Sequence, residues 1–111
     1  QAFKLHRVFT AMREGLAQPV DLARLAELTD LSEYHFSRAF KQSTGLSPSH
    51  YFIRLRMEEA RRMLSESNDS IINIALNVGY TSPSHFAAVF LNGVTPSHYR
   101  SDAVRSKSPT V

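Results

Sequence analysis

One pattern of residues occurs twice in this chain and decides its fold. It reads SEYHFSRAFKQSTGLSPSHY at residues 32–51 and SPSHFAAVFLNGVTPSHY at residues 82–99. Each copy has two phenylalanines four residues apart, then a glycine, then a Ser/Thr-Pro pair. Phenylalanines at this spacing lie on one face of a helix, and a glycine followed by Ser/Thr-Pro ends one helix and begins the next. The pattern therefore predicts two similar helical units.

The repeat extends upstream of both copies. The matching residues are Leu22, Leu25 and Ala26 in the first and Ile71, Ile74 and Ala75 in the second. A short helix, a tight turn and a second helix form a helix-turn-helix, whose second helix enters the DNA major groove. We predict an all-α fold: two helix-turn-helix subdomains, each a homeodomain-like three-helix unit, joined by a long linking helix. The predicted segments are a first subdomain at 1–46, the linking helix at 47–66, a second subdomain at 67–100 and a flexible tail at 101–111.

Polar residues that accept hydrogen bonds from free backbone N–H groups predict where the helices begin. The candidates are Asp21, Ser32, Ser47, Asp69 or Ser70, Ser82 and Thr95. Gly79 predicts a left-handed turn in the second unit, whereas the first unit has Asp30, which adopts that conformation less readily. The residues of the linking helix expected to be buried are Phe52, Leu55, Ala60, Met63 and Leu64.

Composition limits the class of protein. The chain has 111 residues, of which 42% are hydrophobic and 21% charged, as in a soluble globular domain. It has no cysteine, which excludes disulfides, cysteine-based zinc sites and a thiol nucleophile. No apolar run approaches the roughly 18 residues of a membrane span, and no signal peptide opens the chain. These features predict a cytoplasmic location and no contact with a membrane.

The sequence lacks the arrangements that catalysis and metal binding require. It has no paired nucleophile and base, no paired carboxylates and no glycine-rich loop that could hold a phosphate. His50, His85 and His98 recur in similar segments, and the internal repeat explains their recurrence better than a metal site does. We therefore predict that the chain is not an enzyme and holds neither a cofactor nor a metal.

The ordered series of motifs resembles the AraC/XylS-type transcription regulators over about residues 4–100, and the series is specific as a whole. The first half supplies Leu25-Ala26, Ser32-x-x-His35-Phe36-Ser37-Arg38-x-Phe40-Lys41, Gly45-x-Ser47-Pro48-x-x-Tyr51 and Arg56-Met57-x-x-Ala60-x-x-Met63-Leu64. The second half supplies Ser70-Ile71-x-x-Ile74-Ala75-x-x-Val78-Gly79-Tyr80, Ser82-x-x-His85-Phe86, Phe90 and Gly93-x-Thr95-Pro96-x-x-Tyr99-Arg100.

This resemblance implies a bipartite domain that binds double-stranded promoter DNA, with two recognition helices in successive major grooves. Members of the family often recruit RNA polymerase, so the resemblance implies a transcription activator. Many members carry this domain after a ligand-sensing and dimerising domain. Because the chain begins at Gln1, we expect such an N-terminal domain to be absent from it.

In the first recognition helix, the resemblance places Tyr34, Ser37 and Arg38 at positions that contact bases. Arg38 is the strongest candidate, because a guanidinium binds guanine O6 and N7 with two hydrogen bonds. Lys41 and Ser32 are expected at phosphates. The alternative for Ser37 and Arg38 is an ordinary solvated helix face.

The second recognition helix departs from the family pattern. Members commonly have a basic residue near positions 88 and 91, where this chain has Ala88 and Leu91, and residues 63–99 contain no Lys or Arg. The base contacts expected here are Ser84, His85 and Ala88, the alanine touching a thymine methyl. The phosphate contacts expected here are Ser82, Thr95 and Arg100. The alternative is a helix that makes only loose contacts with DNA.

The charged residues are also unevenly distributed along the chain. The net charge is +3, yet ten of the 13 Lys and Arg residues and eight of the ten Asp and Glu residues lie before residue 67. On the linking helix, Arg54, Arg56, Arg61 and Arg62 could contact phosphates, or Arg62 could pair with Glu58 within the helix. Arg56 is expected to be structural. The competing function is a helical protein-interaction module that keeps this fold, with DNA readout weak or lost in the second unit.

Overall fold

The structure is a computed structural model and describes residues 4–92. Every regular element in that range is an α-helix, as the sequence predicts. The helices are α1 (Leu5–Glu14), α2 (Leu22–Glu27), α3 (Glu33–Thr44), α4 (Pro48–Glu66), α5 (Ile71–Asn77) and α6 (Pro83–Asn92). The predicted turn at Thr95 and the predicted tail at 101–111 lie outside the described residues.

The chain divides into two compact units, Gln1–Leu55 and Arg56–Val111, so α4 contributes residues to both. The described part of the first unit holds α1, α2, α3 and the start of α4. The described part of the second unit holds the rest of α4, α5 and α6. Each unit is thus a helix, a short second helix, a tight turn and a recognition helix.

Capping side chains lie at the starts of α2, α3, α4, α5 and α6, where the sequence predicts them. In each case the side-chain oxygen accepts a hydrogen bond from the backbone N–H three residues later, at 3.1–3.3 Å. The capping residues are Asp21, Ser32, Ser47, Ser70 and Ser82. Of the two candidates before α5, Ser70 is the cap. These contacts satisfy N–H groups that a helix start otherwise leaves unpaired.

The core of the first unit forms between one face of each helix. Its buried residues are Val8, Met12, Leu25, Ala26, Phe36, Phe40 and Phe52. Phe40 makes edge contacts with two neighbouring rings, at 6.0 Å to Phe9 and 5.4 Å to Tyr51. Because Phe36 and Phe40 point into this core, the other side of α3 is left for solvent or a ligand.

The second unit buries Ile74, Ala75 and Phe86, which correspond in the repeat to Leu25, Ala26 and Phe36 of the first core. Its buried hydrophobic residues are Met57, Ala60, Ile74, Ala75, Val78, Tyr80 and Phe86. Phe86 packs against Tyr80 at 5.8 Å and against Phe90 at 5.7 Å between ring centroids. The side of α6 that faces the second core therefore corresponds to the side of α3 that faces the first core.

Both tight turns contain one residue with positive φ at the predicted place, Asp30 at 62° and Gly79 at 96°. In each turn a backbone N–H returns to the short helix: Leu31 donates to the Ala26 carbonyl at 3.4 Å, and Tyr80 donates to the Ala75 carbonyl at 2.8 Å. Both residues thus adopt the left-handed conformation, and the greater strain expected for the aspartate stays a prediction.

One predicted core residue is exposed. Leu64 lies in the last turn of α4 and is 38% exposed. In the first unit, the segment after α1 carries Leu16 and Val20, which pack against the core. In the second unit, the segment after α4 is the polar stretch 67–70, Ser-Asn-Asp-Ser, which gives Leu64 no apolar cover. The prediction for Leu64 was wrong because its burial depends on a connector rather than on helical spacing.

Candidate nucleic-acid interface

The predicted base-reading residues of α3 share one face of that helix. Tyr34, Ser37, Arg38 and Lys41 follow the spacing i, i+3, i+4, i+7, which makes a stripe along a helix. Tyr34, Arg38 and Lys41 are exposed, and Ser37 is half-buried. We call these four residues the α3 stripe. It lies opposite the buried phenylalanines, so all four residues can meet a partner without disturbing the core.

Arg38 is held in place within the stripe. Its Nη1 donates a hydrogen bond to the Tyr34 hydroxyl at 3.2 Å, and its Cζ lies 5.6 Å from the centre of the Tyr34 ring. A guanidinium over an aromatic face is attracted by the ring quadrupole. Tyr34 itself is 65% exposed and meets the His35 ring edge-on at 5.4 Å. The side chain that could read a guanine is therefore ordered before any partner arrives.

Ser32 serves the helix as a cap. Its Oγ accepts from the His35 backbone N–H at 3.2 Å and lies 2.9 Å from His35 Nδ1. The predicted phosphate contact at Ser32 thus falls at the exposed N-terminus of α3, where the helix dipole favours an anion. The acidic Glu33 occupies the first turn of the same helix.

The same stripe on α6 has different chemistry. Its positions hold Ser84, Ala87, Ala88 and Leu91, and all four side chains are exposed. We call these four residues the α6 stripe. It offers one hydroxyl and three apolar groups where the α3 stripe offers a phenol, a hydroxyl, a guanidinium and an ammonium.

His85 lies at the start of α6 beside this stripe. Its backbone N–H donates to the Ser82 cap at 3.1 Å, and its ring meets the buried Tyr80 ring edge-on at 5.2 Å. Ser82, Ser84 and His85 are all exposed, so the structure brings these predicted contacts together at one end of α6. Thr95 and Arg100, the other predicted phosphate contacts, lie outside the described residues.

The arginines of α4 divide between internal pairing and exposure. Arg62 donates to both carboxylate oxygens of Glu59, at 2.6 and 2.9 Å, and to Glu66 at 3.1 Å. The predicted Glu58 partner was wrong, since Glu59 offers two oxygens to the planar guanidinium from three residues away. The hydrogen bond from Arg62 lowers the pKa of Glu59. Arg54 and Arg61 are exposed and stay candidates for phosphate contact.

Arg56 has the structural role expected for it. Its Cζ lies 5.2 Å from the centre of the Tyr80 ring. A Cβ placed on Gly79 would lie 2.5 Å from Arg56 Nη2 and 2.6 Å from its Cζ. Gly79 therefore provides both the positive φ and the space for this side chain. Helical spacing does not predict the Arg56–Tyr80 contact, because 24 residues separate its partners.

Two further findings limit the chemistry of the described part of the chain. Among residues 4–92, no three His, Cys, Asp or Glu side chains come together as metal ligands would. Within the same range, each helix is too short or too polar to cross a bilayer.

This arrangement of helices matches known proteins. A family profile described as "Helix-turn-helix domain" matches residues 25–102. A transcriptional regulator from Chromobacterium violaceum, titled as containing an AraC-type DNA-binding domain, is 30% identical and has a TM-score of 0.74, covering 92% of this chain and 93% of that one. The chain belongs to the AraC-type helix-turn-helix family. The fold and the resemblance predicted from the sequence are thereby confirmed.

Three further proteins are similar to this chain. The DNA-binding domain of AdpA, solved in complex with a target DNA, is 29% identical with a TM-score of 0.73, covering 99% of this chain and all of that one. The transcriptional activator RhaR of Yersinia pseudotuberculosis is 32% identical over 105 residues. An HTH-type transcriptional regulator of Haemophilus influenzae is 39% identical over 99 residues. The chain spans about a third of the length of these two relatives, 36% and 33% respectively.

Proposed function

We propose that this AraC-type domain binds promoter DNA by placing α3 and α6 in successive major grooves, and that it acts in transcription activation. The observation that carries the proposal is the α3 stripe, an exposed row of hydrogen-bonding and cationic side chains on the second helix of a helix-turn-helix. The neighbour AdpA supports it, since that domain was solved on a target DNA.

Within the α3 stripe, the residues have separate roles in this proposal. Arg38 reads a guanine through O6 and N7, and Tyr34 and Ser37 contact neighbouring bases. Lys41, one turn further along, neutralises a phosphate, and the N-terminus of α3 at Ser32 holds another. Because Tyr34 already restrains Arg38, little side-chain freedom is lost when the complex forms.

The α6 stripe has a weaker role in this proposal. Ser84, His85 and Ala88 contact bases, the last through a thymine methyl. Ser82, Thr95 and Arg100 hold phosphates. With no Lys or Arg from residue 63 to 99, α5 and α6 contribute little electrostatic affinity. The first unit thus anchors and specifies the complex, and the second adds a less charged contact.

The remaining expectations concern the whole regulator. We also propose that the regulator contacts RNA polymerase, that it is cytoplasmic, and that it has an N-terminal domain that senses a ligand or dimerises. The contact with RNA polymerase is supported by the name of one relative, a transcriptional activator. The N-terminal domain is supported by the greater length of the curated relatives.

In vitro selection from random duplex DNA, followed by footprinting on the selected site, tests the proposal. We expect protection of two adjacent major grooves on one face of the duplex. Arg38→Ala is expected to weaken specific binding by about 5- to 150-fold and to relax preference at one base pair, because one bidentate contact is worth about 1–3 kcal/mol. Arg7→Ala is the matched control, since it removes one exposed charge from α1, outside the stripe.

A protein-interaction module is the second candidate. Three exposed apolar residues on α5, Ile71, Ile72 and Leu76, favour it together with the alanines of the α6 stripe. It predicts a different outcome of the same experiment: selection enriches no sequence, and Arg38→Ala and Arg7→Ala weaken DNA binding equally.

A further inference from the structure

The first helices of the two units can be aligned residue by residue. Helix α1 ends at Glu14 and α4 ends at Glu66, 52 positions later. With that offset, Val8 coincides with Ala60, and both are fully buried. Lys4 then coincides with Arg56. The two basic residues occupy the same place in their units, one turn before a core residue.

Both of these residues contact the tight turn of their own unit. In the first unit, Lys4 Nζ lies 2.8 Å from Asp30 Oδ2, and Asp30 is the residue with positive φ. The hydrogen bond from Lys4 lowers the pKa of Asp30. In the second unit, the guanidinium of Arg56 lies against Gly79, again the residue with positive φ, and over the ring of Tyr80.

Each turn leads directly into a recognition helix. In the first unit, only Leu31 separates Asp30 from the Ser32 cap of α3. In the second, the Tyr80 ring that Arg56 covers also touches His85 and Phe86 of α6, at 5.2 and 5.8 Å between centroids. A cation on the first helix therefore restrains the start of the recognition helix in both units.

We propose that Lys4 and Arg56 are corresponding positioning residues, which fix the two turns through contacts that differ in their sensitivity to salt. The effect of these residues on DNA recognition rests on the proposed DNA-binding function. The two contacts themselves are made in the free protein. The side chains of Lys4 and Asp30 are 44% and 76% exposed, so salt screens their attraction. Tyr80 is only 6% exposed, so the Arg56 contact is screened much less.

Amide hydrogen exchange in the free protein tests the contacts themselves. The probes are the Leu31 and Tyr80 amides, which close the two turns. Raising the salt from about 0.01 M to about 1 M is expected to speed exchange at Leu31 by about two- to fivefold, with little change at Tyr80. Lys4→Met is expected to speed Leu31 exchange at low salt and to abolish its salt dependence. Equal salt dependence at both amides, or no response to Lys4→Met, overturns the proposal.

Variants of Arg56 test the second contact. Arg56→Met is expected to speed exchange at Tyr80 by about 2- to 30-fold at all salt concentrations, whereas Arg56→Lys keeps a cation near the ring and restores part of the protection. Arg61→Met is the control, because it removes an exposed charge from the same helix. If Arg61→Met has the same effect as Arg56→Met, or if Arg56→Lys restores nothing, the assignment to Arg56 is wrong.

The consequence for DNA is measured as discrimination between selected and scrambled half-sites. Lys4→Met is expected to reduce discrimination only at the half-site protected by the first unit, and Arg56→Met only at the other. Loss at both half-sites alike, or at neither, refutes the positioning role. If the unmodified protein selects no DNA while the exchange results hold, the proposed function fails and the two contacts stand.

Discussion

Replacing Gly79 by alanine is expected to destabilise the second unit by about 1.5–4 kcal/mol. An L-residue held in the left-handed region costs roughly 1–2 kcal/mol, and Gly79 has a φ of 96°. The new Cβ would also lie 2.5 Å from Arg56 Nη2, so the guanidinium must leave the Tyr80 ring. Losing that cation–π contact costs about 0.5–2 kcal/mol more.

Gly45→Ala is a matched control for this substitution. Gly45 has a similar φ of 85°, but a Cβ there would meet no atom within 4 Å. Its alanine variant therefore reports the backbone cost alone, and the excess cost at Gly79 reports the displaced arginine. Urea unfolding with amide exchange as the readout assigns each loss to its own unit.

A double-mutant cycle with Arg56→Ala tests the reasoning directly. Gly79→Ala has already displaced the arginine, so removing Arg56 afterwards should cost less than it does in the unmodified protein. The expected coupling is about 0.5–2 kcal/mol. If the two costs add within about 0.5 kcal/mol, or if Gly79→Ala costs no more than Gly45→Ala, the close approach of Arg56 is not what requires glycine here.

Three further predictions concern charge. Specific DNA binding is expected to weaken with a slope of roughly −4 to −6 in log K against log salt, since α5 and α6 carry no Lys or Arg that could release counterions; a titration from low to high salt measures it, and a slope near −10 contradicts the proposed asymmetry. The Lys4–Asp30 pair lowers the pKa of Asp30 below its ordinary value of 3.8, so its stabilising effect is complete above that pH and is lost as the pH falls through the lower folded value. The difference in unfolding between the unmodified protein and Lys4→Met should therefore vanish in acid, and a difference that grows in acid refutes the sign. Ala88→Arg places a guanidinium on α6 at the position that corresponds to Arg38 on α3. It is expected to raise the affinity for DNA and to steepen the salt slope by about 1. An unchanged slope in a DNA titration contradicts a groove position for α6.

Local chemistry explains which parts of the structure the sequence could predict. The caps at Asp21, Ser32 and Ser82 depend only on a side-chain oxygen and the backbone three residues away, and they were predicted in place. The two stripes follow from helical spacing, which the paired phenylalanines fix. Leu64 was mispredicted because the connector after α4 decides its exposure.

Helical spacing could not predict the contacts between residues that are far apart in the sequence. Lys4 and Asp30 are 26 residues apart, and Arg56 and Tyr80 are 24 apart. Neither pair belongs to a periodic pattern, and each depends on where a tight turn places its side chains. The repeat did hold a usable signal, since aligning the ends of α1 and α4 brings Lys4 and Arg56 to one position.

The two units keep one backbone plan while changing the chemistry at corresponding positions. Arg38 on α3 becomes Ala88 on α6, and the ion pair of Lys4 becomes the ring contact of Arg56. In the first unit, charged side chains lie on the α3 stripe, which is proposed to meet DNA, and also hold the turn before α3, so salt acts on both. In the second unit, apolar side chains dominate the α6 stripe, and Arg56 holds the turn from above a buried ring. We therefore expect ionic strength to act on the free protein and on the proposed DNA complex mainly through the first unit.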